Sequence, residues 1–314
     1  MPERGAAAVL RVGATLLVLA LLIVWSDPQS LVQVLGDVAP MPWLAAALVI
    51  SGATLAGGLG LHLLLRKSTG RDFRDFLPVY WVAWAAGLIT PGQIGDMATI
   101  SLILKRRGID WRGTLGRSLL DKGVSLAVMV GVAACGILST WHVMSANTST
   151  VRWALMAALG IVAVLAAGLI IQRHPRLQPI RSHLLEIAAS FLDTLRYQPG
   201  AVALNFLLTL LKLMLIGTGY WLMLRAFGAE PPSILTTTAL ATASGLLAYL
   251  PVSFNGIGPV EVAGVALFGI HGIDGTVVLA SYLALRATVL ALAWIPAAAV
   301  LLTWRARPPT QEQV

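Results

Sequence analysis

Three basic residues sit inside stretches that are otherwise hydrocarbon: Lys122, Lys212 and Arg286. Arg286 lies about 10 residues, or about 15 Å at 1.5 Å per residue, into its apolar run. Lys212 is similarly deep, while Lys122 is close enough to an end to snorkel. A charge at that depth is expensive and marks either a functional site or a structural ion pair. As a functional set, the three would hold an anion such as a phosphate, Arg286 through a planar two-pronged contact and the lysines as point charges. As a structural set, they would neutralise Asp96 and Glu261, the two acidic residues that stand beside breaks in apolar runs. Each carboxylate has three readings: partner of a helix dipole in a first turn, partner of a deep cation, or carrier of a coupling proton. Ser253 and Asn255, in the second break, complete the candidate substrate ligands. Other chemistries fail on residue type. Cys135 is the single cysteine, and the five histidines have no ligand spacing such as HExxH. Neither a disulfide, a metal site nor a cofactor is expected. Ser253 has no histidine in its motif, which speaks against an enzyme.

Two stretches must position these groups, ITPGQIGD at 89–96 and LPVSFNGIGPVE at 250–261. Proline removes a backbone donor and glycine permits dihedrals that other residues avoid, so neither stretch continues a membrane helix. Pro91, Gly92 and Gly95 mark the first break, and Pro251, Gly256 and Gly258 the second. Irregular backbone at membrane depth is tolerated only where it lines a cavity or is buried in protein. The second break also opens a helix, with Gly258 at the cap, Pro259 at the first position and Glu261 in the first turn. The helix N-termini at both breaks offer N–H groups to an anion.

The surrounding chain is 57% hydrophobic and 11% charged over 314 residues, with mean hydropathy +0.82. That composition describes an all-α polytopic membrane protein, and no soluble stretch is long enough for a separate domain. We expect about six spanning helices, at 9–25, 42–65, 115–139, 153–171, 201–224 and 276–303, with a polar loop at 27–40. The run 9–25 lacks a small-residue cleavage site and reads as a retained helix rather than a signal peptide. The small residues Ser51, Gly52, Ala56 and Gly60 recur at about one-turn spacing and predict close helix packing. An amphipathic pattern at 180–195 predicts a helix lying on the membrane surface. The runs 76–89 and 97–104 are each shorter than the about 20 residues a span needs, as are 233–249 and 260–270. Each pair reads as a re-entrant helical hairpin.

The net charge of +8 fits basic loops on one membrane face rather than nucleic-acid binding. Of the 22 basic residues, only Arg152 and Arg225 fall on the outer side. The orientation follows: cytoplasmic N- and C-termini, a first hairpin entering from the cytoplasm and a second from outside. Span, hairpin, span then occurs twice, at 42–139 and 201–303, in opposite senses within a single membrane domain, 1–314. Gly108-Ile109-Asp110 matches Gly272-Ile273-Asp274, and the same offset sets Lys122 on Arg286. Inverted repeats with broken helices are an architecture of secondary transporters.

At the two breaks the chain resembles the lysylphosphatidylglycerol synthase transmembrane-domain family, the flippase-like domain of the multiple peptide resistance factor. The first motif is Pro91-Gly92-Gln93-Ile94-Gly95-Asp96, and the second runs over 251–261, departing from the family pattern at Asn255. The resemblance covers roughly 42–303, and no aminoacyltransferase domain is expected within these residues. It implies movement of an anionic lipid, a lipid-linked sugar or a related lipid between leaflets of a bacterial inner membrane, with a membrane lipid as the partner molecule. A non-transporting partner subunit and a membrane-embedded lipid-modifying enzyme are the alternatives. A homo-oligomer or a second membrane protein is the kind of protein partner to expect.

Overall fold

The computed structural model describes residues 28–90, 92–139, 189, 192–249 and 255–306. Among these there is no strand. A short helix, α1 (Pro28–Gly36), precedes a first set of four: α2 (Pro40–Thr69), α3 (Phe73–Leu88), α4 (Gly95–Arg106) and α5 (Trp111–Ser139). The second set is α6 (Pro199–Ala226), α7 (Ile234–Gly245, continued by a 3-10 turn over Leu246–Tyr249), α8 (Pro259–Gly269) and α9 (Gly275–Ala306).

The polar loop expected at 27–40 is corrected by α1. Proline at the first helical position loses no hydrogen bond there. Leu31 is buried in a cluster with Ile50, Met223 and Leu279, while Gln33 faces outward. The exposed glutamines and Asp37 masked one apolar face.

Four described helices are long and apolar enough to cross a membrane: α2, α5, α6 and α9. They coincide with four of the expected spans. The expected spans at 9–25 and 153–171 lie outside the described residues, as does most of the surface helix at 180–195. Helices α3, α4, α7 and α8 have 16, 12, 12 and 11 residues. At 1.5 Å per residue none covers the about 30 Å of a bilayer's hydrocarbon.

Local chemistry sets the ends of these helices. Gly108 and Gly272 both adopt φ of +77°. In each case the next isoleucine returns its N–H to the helix just ended, Ile109 to Leu104 O and Ile273 to Phe268 O. The following aspartate then caps the next helix. Asp110 accepts from Arg112 N and Gly113 N at the start of α5, and Asp274 accepts from Thr276 N and Val277 N at the start of α9. The Gly-Ile-Asp tripeptide thus makes one turn twice. Ser233 caps α7 by accepting from Thr236 N.

Within each set, the two short helices pack on one another, and the second of them packs on the following long helix. Between the sets, α2 packs along α6, α3 on α9, and α5 on α7. First meets first, second meets fourth and fourth meets second. The α2–α6 contact uses the small residues: Gly52 faces Leu215, and Gly60 faces Asn205. The α3–α9 contact uses a proline. Pro296 cannot donate to Leu292 O, four residues back, and Trp81 Nε1 of α3 donates to it instead at 2.8 Å. Ser244 and Tyr282 join α7 to α9 through a 2.7 Å hydroxyl contact.

Candidate functional site

The two breaks meet. Gln93 and Asn255 both have left-handed backbones, with φ of +53° and +47°. Their side chains bond to each other, Gln93 Nε2 donating to Asn255 Oδ1 at 2.9 Å. Gly92, Gly256 and Gly258 beside them also have positive φ, at +64°, +70° and +95°, which explains glycine at these three positions. Gly95 has another reason. It opens α4 in ordinary helical geometry, and an added Cβ would strike Thr90 and the carbonyl of Ala86. Pro91, Pro251 and Ser253 lie outside the described residues.

Beside the second break, Glu261 is fully buried and satisfied from two sides. The Gly258 N–H donates to its Oε2 at 2.6 Å, closing the first turn of α8. Arg286 of α9 meets its Oε1 through Nη2 at 2.6 Å and Nε at 2.8 Å. The third arm of the guanidinium, Nη1, donates to Asn255 O at 3.1 Å. One arginine therefore ties the carboxylate to the break itself.

Beside the first break the arrangement recurs with a lysine. Lys122 Nζ of α5 meets Asp96 Oδ2 of α4 at 2.6 Å, and the ammonium also lies over the Tyr249 ring at 5.7 Å. Asp96 Oδ1 accepts from Met97 N in the first turn of α4. Both carboxylates thus sit in a first helical turn and hold a deep cation. Two of the three readings open for them coexist.

Lys212 differs. Its Nζ donates to Ser125 Oγ at 3.2 Å, and no carboxylate of the described residues is within ion-pair distance. Nearby, Asp121 accepts from Asn205 Nδ2 at 2.7 Å and likewise has no cation within ion-pair distance among the described residues.

Most of these groups border one cavity of about 290 Å³, with Glu261 behind Arg286 and Asn205 behind Asp121. It is lined from both sets, by Gln93, Asp96, Asp121, Lys122 and Ser125 on one side and Lys212, Tyr249, Asn255 and Arg286 on the other, among apolar side chains such as Leu61, Met129 and Val289. The structure brings together Lys122, Lys212, Arg286, Asp96, Asn255 and Glu261 around this space. It adds Gln93, Asp121, Ser125, Asn205 and Tyr249, which sequence reasoning did not select. Part of the signal was present. Asp121 and Ser125 are four apart on α5, and Asn205 and Lys212 seven apart on α6, spacings that give each helix one polar stripe. A cavity that is apolar with a few convergent charges has the character of a site for a compact polar group, and no metal-ligand cluster occurs among the described residues.

A stretch of 131 residues is 27% identical to glycosyltransferase AglD of Haloferax volcanii, covering 39% of this chain and 21% of that protein. The chain therefore spans about a fifth of that relative's length. The family described as the lysylphosphatidylglycerol synthase TM region matches residues 12–304, nearly end to end. The chain belongs to the lysylphosphatidylglycerol synthase transmembrane-region family.

Proposed function

We propose that the protein carries the headgroup of an anionic lipid or a lipid-linked sugar between membrane leaflets. The observation that carries this reading is the charged cavity between the two breaks, enclosed by helices of membrane length. A phosphate there would meet Lys212, whose ammonium has hydrogen-bonding capacity beyond Ser125. Arg286 and Lys122 would turn toward it from their carboxylates. The acyl or polyprenyl chains would stay in lipid. The likeness to a glycosyltransferase supports a headgroup that is or bears a sugar.

On this reading the two sets of helices form an inverted repeat, 42–139 and 201–303, whose short helices are re-entrant hairpins. Their matched packing and the twice-made Gly-Ile-Asp turn support it. Transport is alternating access: one set rocks against the other, and the Gln93–Asn255 contact parts as the cavity changes sides. The basic loops bearing Arg66, Lys67, Arg71 and Lys105 to Arg107 support a cytoplasmic face there, with both termini on it, in a bacterial inner membrane. The protein is then a carrier that breaks no bond in its cargo.

The test uses purified protein in phosphatidylcholine vesicles with trace labelled phosphatidylglycerol or a labelled glycosyl phosphopolyprenol. Label in the inner leaflet should become accessible to an impermeant quencher with the wild type, and not with Arg286→Gln. Equal accessibility with both proteins and with empty vesicles overturns the reading.

A further inference from the structure

Two carboxylates line the cavity, Asp96 and Asp121, and a third, Glu261, lies buried behind the lining residue Arg286. Two of the three hold a cation. Asp96 has Lys122 and Glu261 has Arg286, each at 2.6 Å. Asp121 has none within ion-pair distance, and its one hydrogen bond comes from the amide of Asn205, Nδ2 donating to its Oδ1 at 2.7 Å. Asn205 is fully buried, and its own Oδ1 has no partner. An amide carries donors at one end and an acceptor at the other. In the orientation seen, it serves a carboxylate. Rotated by half a turn about its terminal bond, it would present Oδ1 to a carboxylic acid as acceptor. Asn205 is thus built to satisfy Asp121 in either protonation state without moving another side chain.

Charge balance gives this a use. The cations that line the cavity, Lys122, Lys212 and Arg286, are equalled in number by the carboxylates Asp96, Asp121 and Glu261. An anionic headgroup on Lys212 leaves the set with one negative charge in excess, inside a shell of hydrocarbon where uncompensated charge is costly. A proton on one carboxylate restores neutrality. On Asp96 or Glu261 it would break an ion pair, whereas on Asp121 it breaks none.

We propose that Asp121 takes up one proton when an anionic headgroup occupies the cavity, and releases it when the headgroup leaves. Lipid movement is then coupled to proton movement in the same direction. This rests on the headgroup reading above and adds its energy coupling. The step is a proton from water onto the Asp121 carboxylate, with no other bond made or broken. Every element around Asp121 is accounted for. Lys122 on α5 itself is committed to Asp96 of α4. Lys212 comes from α6, Tyr80 from α3 and Tyr249 from the 3-10 turn. His62 of α2 is turned to Phe73 and Phe76, and α7 has no titratable residue.

The experiment is calorimetric titration of the purified protein with short-chain phosphatidylglycerol and, separately, a glycosyl phosphopolyprenol. Both are phosphodiesters with no proton of their own to exchange near neutral pH. Repeating each titration in buffers of different protonation enthalpy counts the protons taken up. The expected count is near one per bound lipid. Affinity should fall about tenfold per pH unit above the range where free Asp121 loses its proton. Asp121→Asn should bind with no uptake and a flat pH dependence. Wild-type binding without proton uptake overturns the proposal and leaves the headgroup reading standing. Uptake that persists in Asp121→Asn also overturns it. Failure of both lipids to bind removes the headgroup reading, and the proposal with it. Should the Asn variant not purify, infrared difference spectra decide. A carboxylic-acid carbonyl band that appears with lipid and shifts in Asp121→Glu supports the assignment, and its absence overturns it.

Discussion

Replacing Arg286 by Gln tests the buried ion pair beside the second break. Glu261 is 0% exposed, and Arg286 supplies both side-chain contacts to its Oε1. After the change, the carboxylate keeps only the Gly258 N–H at 2.6 Å. Removing one member of a buried pair costs about 3–5 kcal/mol, because the other charge is left buried without compensation. The lost bond from Nη1 to Asn255 O adds up to about 1 kcal/mol. Adding Glu261→Gln removes the stranded charge, and the new amide oxygen can still accept from Gly258 N. The double variant should recover all but about 1–2 kcal/mol, giving a coupling energy of at least about 2 kcal/mol. The assay is unfolding in mixed micelles by detergent titration of all four proteins. A double variant as unstable as the worse single variant refutes the ion-pair reasoning. Lipid movement in the same proteins separates the roles of Arg286. A stable but inactive double variant fits headgroup binding, whereas restored movement would leave Arg286 a structural residue.

Lys212→Gln breaks no ion pair within bonding distance and should still insert and purify, yet abolish lipid movement in the vesicle assay. Wild-type rates in that variant would remove Lys212 from the site. Gln93→Cys with Asn255→Cys, in a Cys135→Ser background, should stop lipid movement under oxidation and regain it on reduction. Full movement with the crosslink formed would show that the breaks need not part. Gly217→Ala drives a methyl group into Thr238 across the α6–α7 contact and should cost about 1–3 kcal/mol in the same detergent titration. A neutral result would contradict that packing. Single cysteines near Arg107 should label only from the cytoplasm and those near Gly272 only from outside, in the Cys135-free protein. Labelling of both from one side would defeat the inverted arrangement.

What the sequence by itself determined is what neighbouring residues decide among themselves. Hydropathy located α2, α5, α6 and α9, because only a run of about 20 apolar residues crosses a bilayer. Proline and glycine located the breaks, because a missing donor or a left-handed backbone is a property of the residue. Gly258, Pro259 and Glu261 announced the start of α8 for the same reason. The polar residues of α1 misled because its apolar side, Leu31 with Val34, outweighed them once α2, α6 and α9 were packed together. Tertiary structure alone decided which carboxylate holds which cation. Either Asp96 or Glu261 was a chemically adequate partner for Arg286, and helix packing assigned Glu261 to it and Asp96 to Lys122. It also joined Gln93 to Asn255 across 162 positions. Asp121 is the sharpest case. Adjacent residues on a helix point about 100° apart, so nothing local indicated that Asp121 and Lys122 would border one cavity. The crossing of α5 by α6 decided it, bringing Asn205 to one of them and leaving the other for Asp96.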